Sequence, residues 1–389
     1  MRMNYQMAWP YFPEHEIDWL LKEFKNILQG NAPLSMGPRV KEFEDIFANY
    51  VGAEYAVGTN SCTAALEIAL RSIGVQDGDE VIIPVETFIA TGSAVVSEGA
   101  TPVFCDIDPK TFCISLKELK KQVTKKTKAV IIVHMAGMIS PDALKIKAFC
   151  QQENIILIED AAHAIGASIQ GIRAGNIGDI SCFSFYPTKI LTTAEGGMLL
   201  CSDKELYEKA NSLRNRGRDM NTQDEVYSRL GTNNRMTEFA ALLGISQLKC
   251  LNDFLRTRRT IASVYNEKIQ ASNISHLAQP IIVPEEINHA YWRYLITLDP
   301  SIDRELIKEE LDKDNIASDW AYYPALHLQP YFIQQYKTYK GLCPAAEDSL
   351  DRNFCLPINP TMQQNDAVFV VERFIKAIQK QQLTTLCVK

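Results

Sequence analysis

An α/β fold on a doubly wound, mostly parallel sheet, followed by a smaller α+β unit, is the class this sequence predicts. Two continuous apolar runs carry the first part, residues 129–135 (AVIIVHM) and 155–160 (IILIED). Runs of that kind mark strands covered on both faces in a parallel sheet. A helix-spaced stretch at residues 142–152 separates them, the strand–helix–strand order of such layers. A third observation divides the chain: Leu248, Leu251, Leu255, Ala262, Tyr265 and Ile269 form a seam. It predicts a helix over 245–271, long enough to bridge two units. The division follows as a large domain over 1–245 and, over 246–389, the linker helix with a small C-terminal domain.

In chain order, Ile17, Leu20, Leu21, Phe24, Ile27 and Leu28 recur at helical spacing, and Gly30 stands where a helix ends. Val40, Phe43, Phe47 and Tyr50 repeat that pattern up to Gly52. A turn-rich GTNSCT follows, then a helix with Leu66, Ala69, Leu70 and Ile73 on one face. Strands are predicted at 80–84 and 102–106, ahead of the two apolar runs. Between 167 and 185 short strands alternate with turns at Gly171, Gly175 and Gly178. The remainder reads as a strand at 294–298, helices at 304–314 and 366–380, and a loop rich in Pro and Tyr.

Composition narrows the function. The chain has 389 residues, 46% hydrophobic and 22% charged, with a net charge of −7. At roughly 150 residues per domain, two or three domains are expected. The balance argues against a nucleic-acid partner, and the basic runs at 117–128 and 256–259 read as solvated helix faces. No apolar stretch approaches roughly 18 residues, so no membrane span is expected. The ten cysteines form no CxxC pair, which fits reduced thiols in a cytoplasmic protein. The six histidines are scattered, and no metal is expected.

Phosphate loops of the G-x-x-x-x-G-K type, G-x-G-x-x-G after a strand, G-x-S-x-G and H-E-x-x-H are all absent. What remains converges. The run IILIED ends in Glu159 and Asp160, and open α/β sheets bind ligands at the carboxyl ends of their strands. Alone, such a carboxylate is as readily a helix cap or a loop ion pair. His163 follows three residues later; by itself it reads as a satisfied core group. In SCFSFYPTK, Lys189 keeps apolar company, and burial lowers a lysine's pKa toward what imine chemistry requires. The structural alternative is a surface lysine after a strand. GTNSCTAA (58–65) opens a helix with small hydroxyl residues, which suits a phosphate, although a plain N-cap has the same composition. A phosphate cradle, a carboxylate at a strand end and an imine-forming lysine together are what pyridoxal 5'-phosphate needs.

The chain resembles the DegT/StrS family of sugar aminotransferases, fold type I pyridoxal-phosphate enzymes. Seven motifs carry the resemblance in order: NSCTAALEIAL, GDEVIIPVETFIAT, GATPVFCDIDPKTF, IEDAAHAIGA, GDISCFSFYPTK, EGG and GTNNRMTE. It implies that Lys189 is catalytic, holding the cofactor covalently and then moving a proton. Asp160 is implied as the partner of the pyridine nitrogen, His163 as the neighbour of the ring's 3-oxygen, and Phe88 as the aromatic residue stacked on the ring. Cys62, Thr63 and Ser184 correspond to phosphate-binding positions. Asn233 resembles the asparagine given to that phosphate by a neighbouring subunit, so a homodimer with a shared active site is implied. The chain departs from the family at Cys62, where Gly is frequent, and at GTNNRM, which lacks the aromatic neighbours of the asparagine. Ala194 replaces a common Gly and is expected to be neutral.

The resemblance further implies transfer of an amino group from glutamate or glutamine to a keto- or aldehydo-sugar. The base expectation is a nucleotide-linked sugar, in surface-polysaccharide or amino-sugar biosynthesis. The stretches WPYFPEHE, HMAG and LHLQPYF are also similar to relatives acting on oxidised octulosonate, cyclitol or aminohydroxybenzoate-type carbonyls. Arg235 and His327 are candidates for substrate contact, with an ion pair or a loop hydrogen bond as the alternative for each. A regulator that binds the cofactor without turnover would have lost Lys189 or Asp160, and neither is lost.

Overall fold

The computed structural model describes residues 5–220 and 222–387. Seven strands form the main sheet: β1 (Tyr55–Thr59), β2 (Glu80–Pro84), β3 (Thr101–Cys105), β4 (Thr127–Val133), β5 (Ile156–Asp160), β6 (Ile180–Ser184) and β7 (Gly197–Cys201). Their spatial order is β1-β7-β6-β5-β4-β2-β3. Only β7 runs against its neighbours β1 and β6; the remaining pairs are parallel. The predicted strands are therefore found, displaced by at most two residues. β1 and β7 were not anticipated, because YAVGT and GMLLC are short, contain glycine and lie next to turn-rich segments.

Six α-helices precede β5 in the chain: α1 (Glu14–Leu28), α2 (Pro38–Val51), α3 (Cys62–Ser72), α4 (Ile89–Ser97), α5 (Leu116–Gln122) and α6 (Ala143–Glu153). α7 (Lys204–Arg214) follows the last strand. Side chains of the sheet alternate between two apolar layers, as the period-2 pleat dictates. Leu157 and Phe183 enter one layer, whereas Ile158 and Cys182 enter the other. In the first layer Phe43, Phe47, Phe183 and Phe185 form an aromatic cluster with centroids 5.1–5.8 Å apart. It lies under β6 and anchors the strand that leads to Lys189.

The long helix α8 spans Glu238–Gln270, seven residues earlier than the apolar seam predicts. Its start is set by polar capping rather than by apolar periodicity. Thr237 Oγ1 accepts from Ala240 N at 3.1 Å, and the buried Glu238 carboxylate caps α2 by accepting from the backbone N–H groups of Gly37, Arg39 and Val40 at 2.9–3.1 Å. Near its start, Gly244 leaves room for Phe43; a Cβ there would lie 2.4 Å from that ring. Toward its end α8 packs against α12 (Gln364–Cys387).

The C-terminal sheet joins β8 (Ala278–Pro280), β9 (Tyr294–Leu298) and β10 (Asn353–Leu356) in antiparallel register. α9 (Arg304–Asp312), α10 (Pro330–Tyr336) and α11 (Pro344–Arg352) complete this part, so the segment expected as a Pro/Tyr-rich loop holds two short helices with Pro at their first turns. No helix among the described residues is long and apolar enough to cross a membrane.

Candidate active site

The pleat decides what the Glu159-Asp160 pair can do. Adjacent residues on a strand face opposite sides, so only one carboxylate can reach the α3/α4 side. Asp160 does so. Its Oδ2 accepts from Thr91 Oγ1 at 2.8 Å and its Oδ1 from Ala162 N at 3.2 Å. Burial raises its pKa, against which Thr91, the Ala162 N–H and the charge of Lys189 act. Glu159 faces the other layer and is consumed there by His134 and three backbone N–H groups.

Lys189 is delivered by the connection between β6 and β7. That loop is laced to itself: Lys189 N donates to Tyr186 O, Thr193 N and Thr192 Oγ1 both donate to Phe185 O, and Ala194 N donates to Thr192 Oγ1. Ala194 has φ +66, in the left-handed region that costs an L-residue roughly 1–2 kcal/mol. The frequent family glycine at that place thus has a conformational reason, and the alanine is not neutral. Lys189 Nζ stands 4.3 Å from the centroid of the Trp292 indole. Burial pulls its pKa down to about 8, opposed by the attraction of Asp160.

The N-terminus of α3 faces the same space. Ser61 caps the helix through Ala64 N at 3.1 Å. Burial drives the Cys62 thiol far above its ordinary pKa, so it stays neutral there and the backbone N–H groups of the helix start are its useful donors. Gly197 sits against this turn: a Cβ would lie 2.5 Å from the Ser61 carbonyl group and 2.6 Å from Cys62 N. The EGG motif is thus explained by close approach of two backbones. Gly197→Ala is expected to cost about 1–3 kcal/mol and to weaken phosphate-bearing ligands; chemical denaturation and a pyridoxal-phosphate titration check it.

One cavity of about 530 Å³ is lined by Cys62, Thr63, Phe88, Asp160, His163, Ser184 and Lys189, seven of the ten residues singled out from sequence. Phe88 is half exposed at the start of α4, with its ring 5.9 Å from that of Tyr322. Asn233 is exposed on a loop, its carbonyl oxygen 3.4 Å from Asn60 Nδ2, and lines no part of the cavity of its own chain. The two candidate substrate contacts also lie elsewhere. Arg235 donates to Asn215 Oδ1 at 2.9 Å. His327 is fully buried with Nε2 2.9 Å from Glu347 Oε1. Both take the structural alternative, an intramolecular hydrogen bond.

Three of the cavity residues lie outside every motif read from the sequence: Trp292, Arg293 and Tyr322. They come from beyond α8, and no motif spacing ties them to Lys189. Trp292 and Arg293 are docked through the HMAG turn. Arg293 N donates to Ala136 O and Ala290 N to Gly137 O, and Gly137 (φ +102) admits no Cβ, which would lie 2.8 Å from Trp292 N. Arg293 pairs with Asp319 at 3.1 Å.

Comparison with known proteins extends the site's reading to the whole chain. Residues 16–375 match the DegT/DnrJ/EryC1/StrS aminotransferase family. The GDP-perosamine synthase of Escherichia coli O157:H7 is 33% identical, with 90% of this chain and 93% of the relative covered. The UDP-N-acetyl-3-dehydro-alpha-D-glucosamine 3-aminotransferase of Acidithiobacillus ferrooxidans is 36% identical, covering 86% and 87%. Among solved structures, the pyridoxal-phosphate form of a putative sugar aminotransferase from Streptococcus pneumoniae superposes with a TM-score of 0.87 at 27% identity, covering 97% of this chain and all of that one.

Proposed function

Since the chain belongs to the DegT/DnrJ/EryC1/StrS aminotransferase family, we propose that it uses pyridoxal 5'-phosphate to transfer an amino group from glutamate or glutamine to a nucleotide-linked keto- or aldehydo-sugar. One observation carries the reading: a buried lysine with a lowered pKa, a buried carboxylate at a strand end and a helix N-terminus converge on one cavity. The residues fit the cofactor. Gly197 leaves the space that a phosphate at the α3 turn requires, and His163 Nδ1 is a buried polar atom with no partner among the described residues. The names of the two relatives above carry different nucleotides, which supports the substrate class and leaves the base open.

When bound, the cofactor supplies an aldehyde to receive the amine and a pyridine ring that draws off electrons. The protein's own contributions are separable. Asp160 holds a positive charge at the ring nitrogen, and Thr91 orients it by donating to Oδ2 at 2.8 Å. The α3 N-terminus, with Thr63 and Ser184, receives the phosphate. Lys189 Nζ, free of its proton at mildly alkaline pH, is the group that would hold the cofactor's aldehyde carbon and would take and return a proton at the reacting carbon. The rings of Phe88, Trp292 and Tyr322 keep water from that amine. Asn233, exposed on its own chain, serves the cavity of a second copy in a homodimer.

The deciding experiment is the near-visible absorbance of the purified protein before and after L-glutamate. A yellow band that bleaches is expected. A protein that stays colourless with added pyridoxal phosphate overturns the reading.

Two further outcomes are expected. The rate at which cofactor-free protein captures pyridoxal phosphate should rise with pH through about 8, where Lys189 loses its proton; stopped-flow absorbance reads it. Folding stability should rise over the same side, because above pH 8 the unfolded chain keeps a proton that the folded one has released. Mixing subunits tests the shared site. Lys189→Ala and Asn233→Ala proteins, each impaired alone, should regain activity when co-refolded, since one site in each mixed dimer then has both residues.

A further inference from the structure

His163 is held by two aromatic side chains. Its ring stacks on Trp292 with centroids 3.7 Å apart and planes 9° apart, and on Tyr322 at 5.7 Å. The indole is itself fixed by donating from Nε1 to Thr188 O at 2.8 Å. His163 Nε2 lies 2.7 Å from the Tyr322 hydroxyl, whereas Nδ1 is buried without a partner among the described residues. Tyr322 reaches this contact from a left-handed backbone conformation, φ +54, and from 159 residues away in sequence.

The direction of that one hydrogen bond decides where the imidazole proton resides. If Nε2 donated to the hydroxyl oxygen, the tyrosine proton would need another acceptor and Nδ1 would be a bare lone pair. If the hydroxyl donates to Nε2, its proton is used and Nδ1–H is left as a donor. Burial, then the positive charges of Lys189 and Arg293, keep the imidazole neutral. Burial also keeps the phenol protonated, so its O–H is present to be donated.

We infer that Tyr322 is a positioning residue whose hydroxyl donates to Nε2 of His163, holding the imidazole as the Nδ1–H tautomer and leaving one oriented donor for an anionic ring oxygen of the bound cofactor. The tautomer concerns the protein alone; the identity of that oxygen rests on the proposed use of pyridoxal phosphate.

The test is proton-detected nitrogen NMR of the full-length protein carrying 15N-histidine, with and without pyridoxal phosphate. His163 signals are identified by their loss in His163→Gln. The expected wild-type spectrum has the proton on Nδ1 and none on Nε2. In Tyr322→Phe, which keeps the ring stack, an Nε2–H population should appear and cofactor affinity should fall about three- to tenfold, the worth of one hydrogen bond. A wild-type proton on Nε2 overturns the inference whatever Tyr322→Phe shows, and so does an unchanged tautomer in a folded Tyr322→Phe protein. The expected tautomer with no response of Nδ1–H to pyridoxal phosphate would uphold the positioning role and overturn the cofactor reading.

Discussion

Lys189→Ala is expected to abolish turnover while leaving the fold intact or slightly more stable. One positioned proton-transferring group is worth about 10²–10⁴ in rate, and here the same amine also bonds the cofactor, so the loss in kcat should exceed the lower figure and leave no burst in a single turnover with glutamate. Among the described residues Lys189 is the only lysine lining the cavity, and it lies over the Trp292 indole. Its burial is a burden on folding that alanine removes, which is why its lowered pKa and an unchanged or raised Tm belong to the same explanation. Lys189→Arg should fail equally, because a guanidinium keeps its charge at any working pH. Borohydride treatment followed by peptide mass analysis should fix pyridoxal phosphate on residue 189 of the native protein and nowhere in the variant.

The largest effect on stability is expected one residue from Asp160. Glu159 is fully buried. Its Oε2 meets His134 Nε2 and Gly175 N at 2.8 Å each, and its Oε1 meets Ile177 N at 2.8 Å and Gly178 N at 2.6 Å. Glu159→Ala leaves these donors without water or an acceptor, and breaking a buried pair of this kind costs about 3–5 kcal/mol. Urea unfolding measures it. Glutamine does not rescue, since its amide nitrogen would face one of the backbone N–H groups. The pH dependence has a definite sign. Burial acts to raise the Glu159 pKa, but the hydrogen bond and charge of His134 and the N–H groups of Gly178 and Gly175 outweigh it, and the net shift is downward. The contribution is therefore complete above the ordinary carboxylate value and lost as pH falls through the lowered one. Activity per folded molecule should survive, because Glu159 projects into the layer opposite the cavity.

These two residues show how unevenly the site is written along the chain. Asp160 and Lys189 are legible because Asp160 ends one apolar strand-forming run and Lys189 closely follows another, and the two point to one chemistry only when read together with the GTNSCT turn. That Glu159 is structural and Asp160 is not follows from strand parity. The twofold alternation separates them once the strand is recognised, but the apolar run alone does not say which face holds the ligand. β1 and β7 were missed because buried five-residue strands with glycine have no period to detect. Thr237, not the apolar seam, starts α8, because a cap is a hydrogen bond rather than a pattern of hydrophobicity.

Local order along the chain determined the strand–helix alternation, the parallel core of the sheet, the lysine after β6 and the carboxylate at the end of β5. All of these rest on contacts within a few residues or on periodic burial. Tertiary structure alone decided that Trp292, Arg293 and Tyr322 share the cavity with Lys189, that Arg235 and His327 do not, and that a backbone contact with Ser61 excludes a side chain at residue 197. These depend on where α8 and the HMAG turn carry the C-terminal sheet, and packing between segments more than 100 residues apart leaves no periodic trace in either of them.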